Sequence, residues 1–197
     1  MKIYDISQEV FGCEVYPGDP IPRNQQISSI TRGDLYNLTA FSMCAHNGTH
    51  VDAPCHFVNG GKSVDELDLE KTVGYAYVAE FCGDVTKEIA RRIIEKARAV
   101  NSDSAKRILF KGDAVITEES AEYFTANGVC LLGVESQTVG PAEAPMRVHL
   151  VLLRKEVVLL EGIRLGDVNE GVYLLNAAPL NLKGADGSPC RAILVEM

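Results

Sequence analysis

The feature that most constrains how this chain folds is an alternation along its middle. Short apolar runs at residues 74–82, 107–110, 129–134 and 157–160 have the composition of buried strands. The segments between them have the spacing of helices. Residues 87–99 carry apolar side chains at 89, 90, 93, 94 and 97 with basic residues elsewhere, and Thr86, with Glu88 near it, is a suitable N-cap. Thr117 followed by Glu118 and Glu119 opens a second helix, which Asn127 and Gly128 close. Residues 145–154 read as a third helix. Strands are also expected at 2–5, 173–175 and 192–195, and a hairpin is expected from 25–31 and 36–44 around Arg32-Gly33-Asp34. Tyr16-Pro17-Gly18-Asp19-Pro20 is turn chemistry. β-α-β units flanked by β at both ends make the class α/β or α+β.

No repeat and no Pro/Gly/Ser-rich linker divides the 197 residues, so a single domain over 1–197 is expected. A formal net charge of −8 repels a phosphate backbone and argues against a nucleic-acid partner. No apolar run approaches the ~18 residues that span a bilayer, and Met1-Lys2-Ile3-Tyr4-Asp5 does not open a signal peptide, so the expectation is a cytoplasmic protein without a membrane partner. The six cysteines are scattered without a C-x-x-C pair. They are expected to be free thiols, several of them small core residues.

Three of the four histidines fall within eleven residues: His46-Asn47-Gly48-Thr49-His50-Val51-Asp52-Ala53-Pro54-Cys55-His56. On a helix, His46 and His50 would share a face, but Gly48 and Pro54 oppose a regular helix. In an extended segment, positions 46, 50, 52 and 56 share parity and point the same way. The extended or irregular reading is preferred, and in either case imidazoles and carboxylate can converge. Neutral imidazole and carboxylate suit zinc, manganese or iron. Gly48 would let the backbone pass close to an ion or substrate, and Thr49 could orient a ligand. Cys44 and Cys55 flank the cluster as weaker ligand candidates. His149 by itself reads as an ordinary helix residue. Glu161, after the apolar run 157–160, reads equally as a strand-end surface residue or a site residue.

The run 46–56 matches H-x-G-T-H-x-D-x-P-x-H, and with it the chain resembles the cyclase-like metal hydrolases, which include bacterial kynurenine formamidase (arylformamidase) and isatin hydrolase. The likeness extends to Asp5-Ile6-Ser7, Pro17-Gly18-Asp19, residues 64–69 with Val73-Gly74, Leu132-Gly133-Val134, residues 171–180 and residues 185–192. The resemblance implies a swivelling β/β/α fold of the α/β class, a mixed sheet with flanking helices, assembled as a homodimer or higher homo-oligomer. It implies that His46, His50 and Asp52 bind one divalent metal ion. It further implies that Asp52 bridges to a second ion held by His149 and Glu161, twelve positions apart, and that His56 is the general acid/base. Family formamidases often have Trp before Pro-Gly-Asp and Asp after the central strand. Here Tyr16 and Glu135 stand at those positions, both expected to bear on the pocket, and Tyr16 is the substrate-binding candidate.

The expected chemistry is hydrolysis of a small-molecule amide at its C–N bond by metal-activated water, with zinc or manganese as the ion. With N-formylkynurenine, an intermediate of tryptophan catabolism, the products would be kynurenine and formate; a cyclic amide would be opened. The rivals are a lactam or ester hydrolase, a metal-binding protein without catalysis, and a structural metal site.

Overall fold

The structure, a computed structural model, describes residues 1–196. In chain order the strands are β1 (Lys2–Asp5), β2 (Arg23–Ser28), β3 (Leu38–Ser42), β4 (His50–Asp52), β5 (Val73–Glu80), β6 (Gly83–Val85), β7 (Arg107–Lys111), β8 (Ala114–Ile116), β9 (Leu131–Val134), β10 (Val158–Glu161), β11 (Gly171–Asn176), β12 (Gly187–Pro189) and β13 (Ile193–Glu196). The α-helices are α1 (Lys87–Val100), α2 (Glu118–Ala126) and α3 (Met146–Leu153). None is long and apolar enough to cross a membrane among the described residues.

Nine strands make one sheet in the order β1-β13-β11-β5-β7-β9-β10-β4-β12. Its centre, β5-β7-β9-β10, is parallel. The flanking pairs are antiparallel. This is the mixed sheet of the α/β class, and the three crossovers that a parallel centre requires run through α1, α2 and α3. Alternation along each central strand divides the core. Ile108 and Phe110 of β7, Leu132 of β9 and Leu159 of β10 pack with Ile93, Ile94 and Phe124 of the helices. Leu109, Leu131, Val158 and Leu160 point to the opposite face. Val51 of β4 and Leu194 of β13 come from opposite flanks of the sheet yet share that second cluster. The sheet therefore curls around it.

The helices begin where the sequence indicates. Thr86 Oγ1 accepts from the Ile89 amide, and Thr117 forms a capping box with Ser120. Three local expectations shift. The first hairpin strand ends at Ser28, because Asp34 Oδ2 accepts from the Ser29 amide and Asn37 Oδ1 from the Ile30 amide, folding Ile30–Arg32 into a 3-10 turn. The run expected as a strand over 74–82 ends as β5 at Glu80, and the chain continues through Gly83 into β6, which pairs with β8 in a separate two-stranded sheet. The six cysteines are free, but none is fully buried; Cys55 and Cys190 pack against the second core cluster from its margin.

Candidate metal centre

β4 is the hub of the site. Val51 enters the second core cluster, so pleating turns its neighbours His50 and Asp52 to the helix-covered face. β10 pairs beside it with Glu161 opposite His50. Glu161 shares the parity of Leu159, and so it too faces the helices, where α3 presents His149. His46 and His56 reach the same place by other means. His46 comes from the turn before β4, and His56 from the 3-10 turn Pro54–His56 after it. Shared parity along an extended strand thus accounts for residues 50 and 52 only; the irregular alternative describes the two flanks.

Six residues singled out by sequence converge. His46 Nδ1 lies 2.8 Å from Asp52 Oδ1. His50 Nε2 lies 3.4 Å from the same oxygen and 3.5 Å from Glu161 Oε2. His149 Nε2 lies 3.3 Å from Glu161 Oε1 and 3.7 Å from Asp52 Oδ2. His46, His50 and Asp52 form one group of possible ligand atoms, and Asp52, His149 and Glu161 form another, with Asp52 common to both. Backbone carbonyls aim the rings: His50 Nδ1–H donates to Gly48 O at 3.0 Å, and His149 Nδ1–H donates to Pro145 O at 2.9 Å. Each ring thereby turns Nε2 toward the carboxylates. His56 stands beside this cluster, its ring centroid 4.1 Å from that of His46 and 4.5 Å from that of Phe57.

Asp52 is 1% and Glu161 3% exposed, and neither has a lysine or arginine partner among the described residues. Buried carboxylates of this kind need compensating positive charge. Without an ion, protons on the imidazoles supply it. Burial opposes charge on His50, but Asp52 and Glu161 outweigh burial and push its pKa up to about 10. Burial likewise opposes charge on His46 and His149; Asp52 with Asp186 raises the first, and Glu161 the second. Burial alone would raise the Asp52 pKa, yet His46 and His50 hold it below the usual carboxylate range. A donor set of three imidazole nitrogens and two buried carboxylates fits a divalent metal ion of the zinc, manganese or iron type.

Five of the six, all but the buried Asp52, line a cavity of about 250 Å³ together with Tyr16, Asp19, Phe57, Gln137, Thr138 and Pro145. A larger, open groove of about 750 Å³ lies elsewhere, between residues 5–11 and the β2-β3 hairpin, and contains none of the six residues. Several neighbours have roles other than those expected. Thr49 Oγ1 accepts from Gln8 N and donates to Gly162 O, tying the backbone of the histidine segment to the end of β10 rather than orienting a ligand side chain. Gly48, at φ 65°, turns its α-carbon toward Cys13 and meets the cluster through its carbonyl, which accepts from His50 Nδ1. Cys44 and Cys55 point to Asp19 and to Ala185 O and belong to no ligand group. Glu135 does not line the cavity; it accepts from the Gly112 and Leu165 amides and braces the β9 turn. Asp186 was not singled out by sequence. Its Oδ2 lies 2.9 Å from His46 Nε2 and 3.0 Å from His56 Nδ1. A lone aspartate in a loop, 140 positions from His46, gives no signal of its own in one sequence.

The fold and the shared-carboxylate cluster define an enzyme of the metal-dependent hydrolase class. Residues 4–141 match the family model named Cyclase. The chain belongs to this Cyclase family. It is 32% identical to a kynurenine formamidase of Erythrobacter litoralis, an alignment covering 100% of this chain and 94% of that one. A protein of Bacillus stearothermophilus described as a predicted metal-dependent hydrolase superposes with a TM-score of 0.79 at 28% identity, over 98% of this chain and 97% of the other. Isatin hydrolase A of Labrenzia aggregata shares the fold, with a TM-score of 0.82 at 22% identity, over 100% of this chain and 94% of the other.

Proposed function

We propose that this chain is an arylformamidase acting on N-formylkynurenine, releasing kynurenine and formate, and that it works in the cytoplasm in tryptophan catabolism. The observation that carries the reading is the pair of donor groups sharing Asp52, at the wall of a cavity that His56 also lines. A full-length likeness to a kynurenine formamidase supports the substrate. In this reading His46, His50 and Asp52 hold one ion, and Asp52, His149 and Glu161 hold a second; zinc and manganese both suit the donors. Bound there, the metal supplies Lewis acidity and an activated water.

His56 carries the proton traffic. It takes a proton as the water oxygen bonds to the formyl carbon, and gives one to the aryl nitrogen as the C–N bond breaks. Phe57, whose ring centroid lies 4.5 Å from that of His56 and 4.7 Å from that of His149, is an apolar wall against which an aryl ring can stack. Tyr16 closes the same cavity from the N-terminal segment.

One observation favours a second reading, a lactam hydrolase. The cavity lining holds no lysine or arginine to pair with an α-carboxylate, so an uncharged cyclic aryl amide suits it as well. We also propose that the chain is a homodimer through the β2-β3 hairpin. The deciding experiment measures bound metal and hydrolysis of N-formylkynurenine in one preparation, before and after chelation. Activity that leaves and returns with the metal supports the formamidase. Bound metal with no turnover on N-formylkynurenine, and turnover of an isatin-like lactam, replaces it with the second reading.

A further inference from the structure

Asp186 is tied to the metal strand by its backbone. Its carbonyl accepts from the Ala53 amide at 2.9 Å, and the next residue, Gly187, pairs opposite Asp52. Gly187 must be glycine for this approach, since a Cβ would stand 2.6 Å from His46 Cε1 and 2.9 Å from Val51 O. The side chain of Asp186, 49% exposed, then reaches both rings through one oxygen: His46 Nε2 at 2.9 Å and His56 Nδ1 at 3.0 Å. The rings lie at 30° to each other with centroids 4.1 Å apart. A carboxylate only accepts, so both nitrogens facing it carry hydrogen; without an ion His46 Nδ1, 2.8 Å from Asp52 Oδ1, carries one as well, and that second proton is the one an ion would replace.

We propose that Asp186 is a positioning residue whose single oxygen sets complementary tautomers on a metal ligand and on the acid/base: Nε2–H on His46, leaving Nδ1 for the ion, and Nδ1–H on His56, leaving Nε2 for the substrate. The inference rests on the assignment of His46 as ligand and His56 as acid/base made above. The two assignments follow from the same geometry. His46 Nδ1 is the nitrogen turned to Asp52 Oδ1. The His56 nitrogen opposite Asp186 belongs to the ring edge that faces away from it, in a side chain that lines the cavity. A carboxylate behind a ligating histidine fixes its orientation and raises its basicity. A carboxylate behind an acid/base histidine holds the tautomer and stabilises the imidazolium that forms during proton transfer. Here one side chain does both, so ion placement and proton transfer are coupled through one oxygen.

The test uses zinc-loaded full chain and compares wild type with Asp186→Ala and the isosteric Asp186→Asn. Histidine nitrogen NMR reads the tautomers, chelator competition reads zinc affinity, and steady-state hydrolysis reads kcat and KM. Wild type should show Nδ1–H on His56 and zinc at Nδ1 of His46. Asp186→Ala should release His56 to the opposite tautomer, weaken zinc on the order of 10- to 100-fold, and lower kcat by about 10²-fold or more with little change in KM. Asp186→Asn, which still offers an accepting oxygen, should recover part of the tautomer population and of the affinity. Wild-type tautomers and zinc affinity in Asp186→Ala would overturn the proposal. So would an additional zinc ion held among His46, His56 and Asp186 themselves and lost in both variants. The spectra and affinities need no substrate. A wild type inactive on N-formylkynurenine but showing these tautomers would remove the formamidase and leave the positioning role standing.

Discussion

At the residue scale, the side chains of the centre differ in what their loss takes away. Under the roles proposed, His56→Ala should keep full metal content and lose about 10²-fold or more in kcat; unchanged turnover would remove His56 from the mechanism. Asp52→Ala should abolish loading at both groups, because Asp52 is common to them. Glu161→Gln should cut the second ion more than the first; equal loss, read by elemental analysis, would contradict two separable groups. The metal-free protein should also carry a pH signature. His46, His50 and His149 have folded pKa values raised above the ordinary ~6.5. Their contribution to stability is complete below that value and is lost as pH climbs through the raised values, toward about 10 for His50. Asp52 is shifted the other way, so its contribution is present above ~3.9 and is lost as pH falls through its folded value. Thermal melts in chelator should therefore peak between about pH 4 and 6.5 and decline toward pH 10. A saturating ion takes over the protons' task and should flatten the alkaline decline; a metal-free melt that rises toward pH 10 would contradict the cluster. The histidines at 46, 50 and 56 and Asp52 were legible because they crowd into eleven residues. His149 and Glu161 were legible only through the family spacing. Asp186 lay within the likeness at 185–192, but its role was illegible because it depends on a strand pairing that the local sequence does not announce.

At the element scale, the centre depends on how closely three strands approach. Gly162, directly after β10, has φ +68°, and a Cβ there would come within 2.4 Å of Gly48 O and 2.5 Å of Gln137 Nε2. Gly162→Ala should cost about 1–3 kcal/mol through backbone strain and lower the melting temperature by several degrees, with weaker metal binding as His50 and Glu161 are pushed apart. A variant that melts and loads like wild type would show that the loop relaxes freely. The helices were legible because burial repeats along them: Ala90, Ile93, Ile94 and Ala97 are the buried face of α1, and their spacing is visible without a structure. β12 was not, since Gly187-Ser188-Pro189 has no strand propensity and is extended only because β4 offers an edge to pair with. β6 and β8, three residues each, are likewise strands by virtue of pairing with each other.

At the scale of the whole molecule, the β2-β3 hairpin stands apart from both core clusters. Nearly every residue in it is exposed, including Ile27, Leu38 and Phe41, and Leu35 at its tip is 96% exposed. A two-stranded hairpin is marginal alone, and exposed apolar surface of this kind is usually covered. Residues 23–42 hold Arg23, Arg32 and Asp34, a net +1 on a chain of −8. The hairpin's apolar side chains and slight positive charge let two acidic copies meet there with little repulsion. Leu38→Asp with Phe41→Asp should convert the proposed dimer to monomer in light scattering, and a wild type already monomeric at micromolar concentration would remove the interface. The alternation of runs narrowed the class to α/β or α+β and the family resemblance supplied the mixed sheet, whereas the strand order was not legible, because it joins segments far apart in sequence. That order bears on how the chain is made. His46, His50, Asp52 and His56 are complete within the first 56 residues, but β4 lies between β10 and β12, and β1 pairs with β13. A chain still emerging from the ribosome presents these histidines before β5, β7 and β9 exist, and gains His149, Glu161 and then Asp186 only after those strands have been made. The centre thus closes long after its first histidines are made: Glu161 completes the two donor groups, and Asp186 follows when β12 pairs with β4.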